Sequence, residues 1–254
     1  GIPPIVPQEL FDRVQLKLEK NKKAPARHKA EDDYLLTTKL FCGYCGAYLC
    51  GESGTSRTGV VHHYYKCVSV KKKRKNDLDK LKSIIDTQVY EMNGRVIIPS
   101  FAQSRIQQLA LMIYQLYKDC EWQPRVYVDS PLAIQIFKDY EKVLENEDKE
   151  LFDELLKWDN LIFVKESEES KSLVTSDEPC VILSTAGMCQ VGRVRHHLKA
   201  VIPNPNATVL FVGFSTEGSL ASLLKDNKTK SVMIDGKEYK CRCASYSLKS
   251  LSGH

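Results

Sequence analysis

From about residue 94 onward the chain alternates short apolar runs with longer amphipathic stretches, and no other feature restricts the fold as much. The runs at 95–98, 125–128, 161–164, 181–184 and 209–212 are dominated by Val, Ile, Leu and Phe and are too short for helices. Helical spacing fills the gaps between them. Leu109, Ile113 and Leu116 fall on one side of 106–120, and Ile134, Phe137 and Val143 mark the next helix. Further helices are expected at 147–157, 192–201 and 217–225. Strands that are apolar at nearly every position are covered on both faces, and strands separated by helices run parallel. The expected fold is therefore α/β, a largely parallel sheet flanked by helices. Residues 231–246 read as two strands around Asp235-Gly236, a hairpin turn.

The front of the chain is built differently. Leu10, Val14 and Leu18 recur at four-residue spacing in a helix over 8–23, and Pro25 lies in the loop after it. Short strand-like runs at 34–36, 47–49 and 62–65, separated by Gly- and Ser-rich turns, predict a small β-ribbon. A basic run, Lys71 to Lys75, then leads to Asn76 or Asp77, either of which can cap a helix carrying Leu78, Leu81, Ile85, Val89 and Met92. Residues 1–75 hold 15 Lys+Arg against 7 Asp+Glu, and the remainder 22 against 25. A basic front suits a polyanion such as nucleic acid, although a solvated lysine surface has the same composition.

The nine cysteines are an odd number, and Cys42, Cys45, Cys50 and Cys67 crowd the front. The start shows no charged segment followed by an apolar one, so a cytoplasmic protein without a disulfide framework is expected. No apolar run approaches the ~18 residues of a membrane span, so no membrane partner is expected. Cys42-Gly43-Tyr44-Cys45 is a knuckle whose thiolates can reach one tetrahedral zinc from a tight turn. Cys67 lies at a ribbon-like distance beyond it. Cys50, His62 and His63 are the local choices for a fourth ligand, and free thiols in a small β element are the alternative.

In open α/β sheets ligands gather beyond the carboxyl ends of the strands. Four polar or Gly-rich segments are expected there: Pro99-Ser100, Asp129-Ser130-Pro131, Ser184-Thr185-Ala186-Gly187-Met188, and Gly213-Phe214-Ser215-Thr216-Glu217-Gly218. Arg105, Arg193 and Arg195 follow two of these segments and are suited to bidentate pairing with phosphate. The competing reading is that the segments only cap helices. Asp129 is expected to cap the helix opened by Ser130-Pro131. His196 and His197 are adjacent on a helix, about 100° apart, so they do not share a metal. One is expected at the surface and the other packed or facing RNA.

Several ordered motifs from about Asn76 to the end resemble the β-CASP family. They are Gly94-Arg95-Val96-Ile97-Ile98-Pro99-Ser100-Phe101-Ala102 with Arg105, Val126-Tyr127-Val128-Asp129-Ser130-Pro131, Ser184-Thr185-Ala186-Gly187-Met188 with Gly192-Arg193 and His196-His197-Leu198, and Ser252-Gly253-His254. The resemblance implies a metallo-β-lactamase-fold hydrolase that processes RNA. It implies two catalytic zincs that activate a water, and a β-CASP domain that clamps the RNA over them. His254 would then contact the scissile phosphate as the catalytic residue, with Ser252 shaping its pocket. Arg105, Gly187 and Arg193 would hold phosphate or RNA. The family's HxHxDH motif occurs nowhere in the sequence. Ser104 stands where the family usually has Gly, and the helix start is expected to tolerate it.

Residues 1–75 resemble large serine recombinases, through Ile5-Val6-Pro7-Gln8-Glu9-Leu10-Phe11, Leu40-Phe41-Cys42-Gly43-Tyr44-Cys45-Gly46 and His63-Tyr64-Tyr65-Lys66-Cys67. That implies a DNA-contacting structural zinc site on Cys42, Cys45 and Cys67. The expected organisation is the end of a recombinase domain at 1–33, a zinc β-ribbon at 34–75, a β-CASP domain at 76–230 and a partial return into a metallo-β-lactamase domain at 231–254. Residues 231–254 are expected to be poorly packed and to promote association. The expected whole is a composite that binds nucleic acid and is inactive alone. Its alternatives are an RNA hydrolase completed by another chain, or a DNA-binding module with an inert passenger.

Overall fold

The computed structural model describes residues 8–21, 34, 36, 39–42, 47–56, 59–225 and 229–248. At the front, α1 (Gln8–Asn21) is followed by an antiparallel pair, β1 (Leu49–Thr55) and β2 (Val61–Cys67), with Leu49 opposite Cys67 and Thr55 opposite Val61. The expected run at 62–65 lies in β2 and that at 47–49 ends where β1 begins, but among the described residues Tyr34 and Leu36 are not in a strand. Tyr34 packs against its face, edge-on to His63 and Tyr65 with ring centroids 5.8 and 5.9 Å apart.

The junction after the ribbon differs from expectation. Helix α2 (Val68–Ile85) begins directly after β2, eight residues before Asn76. Cys67 is its extended N-cap and supplies no side-chain cap bond, so the sequence carries no start signal there. Lys and Arg are good helix formers, and the basic run lies within the helix. The next turn, Asp86–Glu91, is π-helical. Its wider turn rotates the face that follows, which leaves Met92 exposed while Leu81, Ile84, Ile85 and Val89 are buried. Tyr117 anchors this turn, its hydroxyl donating to Asp86 Oδ1 at 2.7 Å.

Six parallel strands form the main sheet: β3 (Arg95–Pro99), β4 (Val126–Asp129), β5 (Leu161–Phe163), β6 (Cys180–Ser184), β7 (Ala207–Phe211) and β10 (Ala244–Ser247). Their spatial order is β10-β7-β3-β6-β4-β5, with every pairing parallel. Alternate side chains feed two cores. Val96, Ile98, Val126, Val128, Val181, Leu183 and Leu210 join one face, covered by α2, α3 (Arg105–Tyr117), α4 (Pro131–Val143) and α5 (Asn146–Leu156). Ile97, Cys180, Ile182, Ala207 and Val209 join the other, under α7 (Val194–Val201) and α8 (Leu220–Leu224). Both faces are buried, as the continuous apolar runs require. Among the described residues no helix is long and apolar enough to cross a membrane.

Three elements escaped the sequence reading or contradict it. Helix α6 (Ser167–Thr175) has few apolar residues, and its start is fixed by Glu169, whose side chain accepts from the backbone of Glu166 at 3.1 Å. The hairpin of β8 (Ser231–Ile234) and β9 (Lys237–Lys240) forms as predicted, with positive φ at Asp235 and Gly236. It is not loosely packed, however: Val232 and Ile234 are buried in the second core, and Leu248 in the first. The chain then adds β10 to the sheet edge beside β7, so the described part of 231–254 belongs to the same fold.

Candidate functional site: a polar crevice at the strand ends

The chain leaves β3 toward β4 on one side of the sheet and leaves β7 toward β10 on the other. Neighbouring strands whose connections diverge open a crevice at their carboxyl ends, the place where α/β sheets bind ligands. A pocket of about 160 Å³ lies there. Pro99, Ser100 and Phe101 line it after β3, Gly187 and Met188 after β6, and Phe211 to Ser215 along the end of β7, with Arg105 from the start of α3.

Each wall has a local cause. Ser100 is held by its N–H, which donates to the Ser184 carbonyl at 3.0 Å. Its hydroxyl is buried and has no hydrogen-bond partner among the described residues. Ser104 has φ +67 and ψ −46, and the Arg105 N–H closes back on the Gln103 carbonyl at 2.7 Å. This tight turn aims the first residue of α3 at the pocket. The Arg105 side chain meets Gln108 Oε1 at 3.2 Å and, among the described residues, no carboxylate. Partial burial lowers its pKa from the usual arginine range. On the β7 side Lys225 Nζ donates to the Gly213 carbonyl at 3.0 Å and fixes that loop. Phe101 and Phe214 stand at the pocket with more than half of each residue exposed.

A second polar cluster lies at the end of β4, and it is closed. Asp129 is fully buried. Its Oδ2 receives Ser170 Oγ at 2.7 Å and meets His197 Nε2 at 2.6 Å. Its Oδ1 receives Arg193 at 2.8 Å. Burial pushes the carboxyl pKa up, but the hydrogen bonds of His197, Ser170 and Arg193 outweigh it and hold the group below its ordinary value. Arg193 also donates to the carbonyls of Val164 at 3.1 Å and Lys165 at 3.0 Å. The loop carrying Gly187 starts and ends on this cluster: Ser184 Oγ donates to the Asp129 carbonyl at 3.0 Å, and Thr185 Oγ1 to Ser130 Oγ at 3.0 Å. Gly192 has φ +84, and a Cβ there would meet the Thr185 carbonyl at 2.5 Å, so the loop closes only with glycine.

The predicted site residues therefore divide. Arg105 and Gly187 come together on one pocket. Arg193 is not among the residues lining that pocket; its Nη1 donates to Asp129 Oδ1 and the Val164 carbonyl, and its Nη2 to the Lys165 carbonyl. Asp129 is not the helix cap, a task performed by Ser130, whose side chain accepts from Ala133 at 3.2 Å. His196 is exposed and His197 buried, the predicted split, with His197 packed on Asp129. Ser252 and His254 lie outside the described residues, as does Cys45. Cys50 Sγ donates to the Lys66 carbonyl at 3.4 Å. Among the described residues no three His, Cys, Asp or Glu side chains converge to hold a metal. Ser100, Phe101 and Phe214 also line the pocket and were not among the expected site residues. Their signal was that two strand-end segments each carry an aromatic residue among polar and glycine positions.

Residues 106–224 match the family model described as Beta-Casp domain. Ribonuclease TTHA0252 of Thermus thermophilus is 32% identical over 169 residues, covering 63% of this chain and 38% of the relative. Transcription termination factor FttA of Methanocaldococcus jannaschii is 28% identical over 190 residues, covering 66% and 28%. Endoribonuclease ysh1 of Schizosaccharomyces pombe is 30% identical over 159 residues, covering 59% and 20%. The β-CASP resemblance is thus supported and the parallel sheet fits it, while the chain spans well under half the length of each of these relatives. The resemblance of residues 1–75 to serine recombinases finds no support in these comparisons, and the DNA and zinc-ribbon expectations rest on the sequence alone.

Proposed function

We propose that this chain grips RNA at the carboxyl ends of β3, β6 and β7, as the RNA-holding part of a metal-dependent ribonuclease. The observation that supports this most is Arg105. It is a guanidinium at a helix N-terminus, without a carboxylate partner among the described residues, on a pocket at the β3–β7 divergence. A helix N-terminus and an arginine fork both favour phosphate oxygens. Gly187 and Gly213 are half-buried on the same pocket, Lys225 holds the Gly213 carbonyl, and the closed Asp129 cluster holds the Gly187 loop in place.

Phosphodiester hydrolysis in the resembled family uses two zincs and the histidine matched by His254. Among the described residues no three potential metal ligands converge, and the part proposed for the pocket residues is to bind and orient the strand. Cleavage by the chain alone is not expected. The test is salt-dependent binding of single-stranded RNA to the full chain, together with a cleavage assay with added zinc. Affinity that falls steeply with salt supports the reading. No binding at low salt would overturn it, and zinc-dependent cleavage lost in His254→Ala would overturn the inactivity.

A second reading concerns the front. The β1–β2 ribbon and the basic run fit the DNA-binding module that the recombinase resemblance implies. Duplex binding weakened by neutralising Lys71–Lys75, with about one zinc per chain retained, would establish it. Less than half an equivalent of zinc argues against a Cys42–Cys45–Cys67 site.

A further inference from the structure

We infer that Phe101 and Phe214 form a stacking site for one unpaired nucleobase, with the Ser100 hydroxyl available to its polar edge; this rests on the RNA-gripping reading above. Three independent features meet in one place. The rings follow β3 and β7, the two strands whose connections diverge, and both line the same pocket. They are 53% and 63% exposed, although each sits beside one of the best-buried strands of the sheet. At the pocket wall the Ser100 hydroxyl is buried and has no partner among the described residues, on a residue only 1% exposed. A buried hydroxyl without a partner costs free energy unless a ligand satisfies it.

The pocket volume, about 160 Å³, is below the ~300–1,000 Å³ of sites that enclose a drug-sized molecule. It has room for one planar ring, not for a folded peptide element. Arg105 at the same pocket places a phosphate-seeking group beside the rings, and proteins that bind single-stranded RNA combine backbone cations with aromatic platforms. Stacking is available to every base, so the site is expected to select unpaired over paired RNA rather than one sequence.

The test uses the full chain and a short fluorescein-labelled oligouridylate, compared by anisotropy with the same oligonucleotide made abasic. A third strand carries 2-aminopurine, whose fluorescence falls on stacking. Expected is about 5- to 100-fold weaker binding for Phe101→Ala or Phe214→Ala, and for the abasic strand on the unaltered protein. Phe→Trp at either position retains affinity and 2-aminopurine quenching, and Ser100→Ala gives a smaller loss. Both rings are exposed, so the alanine variants keep the fold, which circular dichroism checks. Equal binding of the base-bearing and abasic strands, unaffected by either alanine, would overturn the stacking site and leave the phosphate-gripping reading intact. The same result with loss of concentration-dependent self-association would reassign the rings to protein contact. Absence of binding to every strand overturns both readings.

Discussion

Arg105 and Arg193 sit at the same end of the same sheet, and the sequence presents them alike: each follows a Gly- or Ser-rich strand-end segment and opens a helix. Their surroundings make them opposites. Arg193 reaches a buried carboxylate and two carbonyls, and with His197 and Ser170 it completes the shell of Asp129. Among the described residues Arg105 meets one glutamine on its own helix, and the serine hydroxyl near the pocket it lines has no partner. An arginine with its acceptors supplied by the protein is a structural tie, and one without them is available to a ligand.

Asp129→Ala is the strongest attack on the closed cluster. It leaves His197 and Arg193 buried or half-buried without their carboxylate, and loss of one member of such a cluster costs about 3–5 kcal/mol. Chemical denaturation should show that loss in the midpoint, and a change below about 1 kcal/mol would mean the cluster is not the tie described. The two arginines should then separate cleanly. Arg105→Ala is expected to weaken single-stranded RNA binding at least about 10-fold, the worth of a charge-assisted hydrogen bond, while shifting stability by no more than about 0.5 kcal/mol. Arg193→Ala should do the reverse, lowering stability by about 1–3 kcal/mol with affinity falling only as the fold loosens. Equal effects on affinity from both variants would erase the distinction.

Acid titration sharpens the same contrast. The Asp129 carboxyl is held below its ordinary value, so the folded state binds fewer protons than the unfolded one in that window. Its contribution is fully present above the unfolded carboxylate pKa, about 4, and is lost as pH falls through the lower folded value. Tm measured against pH should therefore descend on the acid side, and Asp129→Asn should flatten that limb. An unchanged slope in the variant would assign the acid sensitivity elsewhere. Asp235 is lowered in the same direction, first by Lys199 and then by Arg195, but it is exposed and contributes less.

The part of this architecture that could be read in advance is the part that each residue's own neighbours dictate. The strands containing Val96–Ile98 and Val181–Leu183 announce themselves because a sheet covered on both faces demands apolar side chains at every position. Asp235-Gly236 announces its hairpin because both residues adopt positive φ. β10 did not, because Ala-Ser-Tyr-Ser has no apolar period and becomes a strand only by pairing with β7. The start of α2 was hidden because Cys67 gives no capping signal and the lysines after it look like a linker. The partners that separate Arg193 from Arg105 lie 29 and 64 residues away in the chain. No local pattern encodes which arginine meets protein acceptors, so the sequence presents the two alike.

The smallest expected effect has the opposite sign and tests how Arg105 is aimed. Ser104 holds φ +67 with ψ −46, a region that favours glycine, and it makes no side-chain cap bond in return. The sequence reading expected serine to be tolerated there, and it is accommodated, but a non-glycine residue in such a conformation costs on the order of 1–3 kcal/mol. Glycine removes that cost while adding freedom to the unfolded chain, worth up to about 1 kcal/mol. Ser104→Gly should therefore stabilise the protein by about 1 kcal/mol in denaturant melts. If the tight turn rather than the serine side chain directs Arg105 to the pocket, RNA affinity will be unchanged. A stabilised variant with weakened RNA binding would instead show that Ser104 restrains the arginine, and that the open side of the comparison is less free than its missing carboxylate implies.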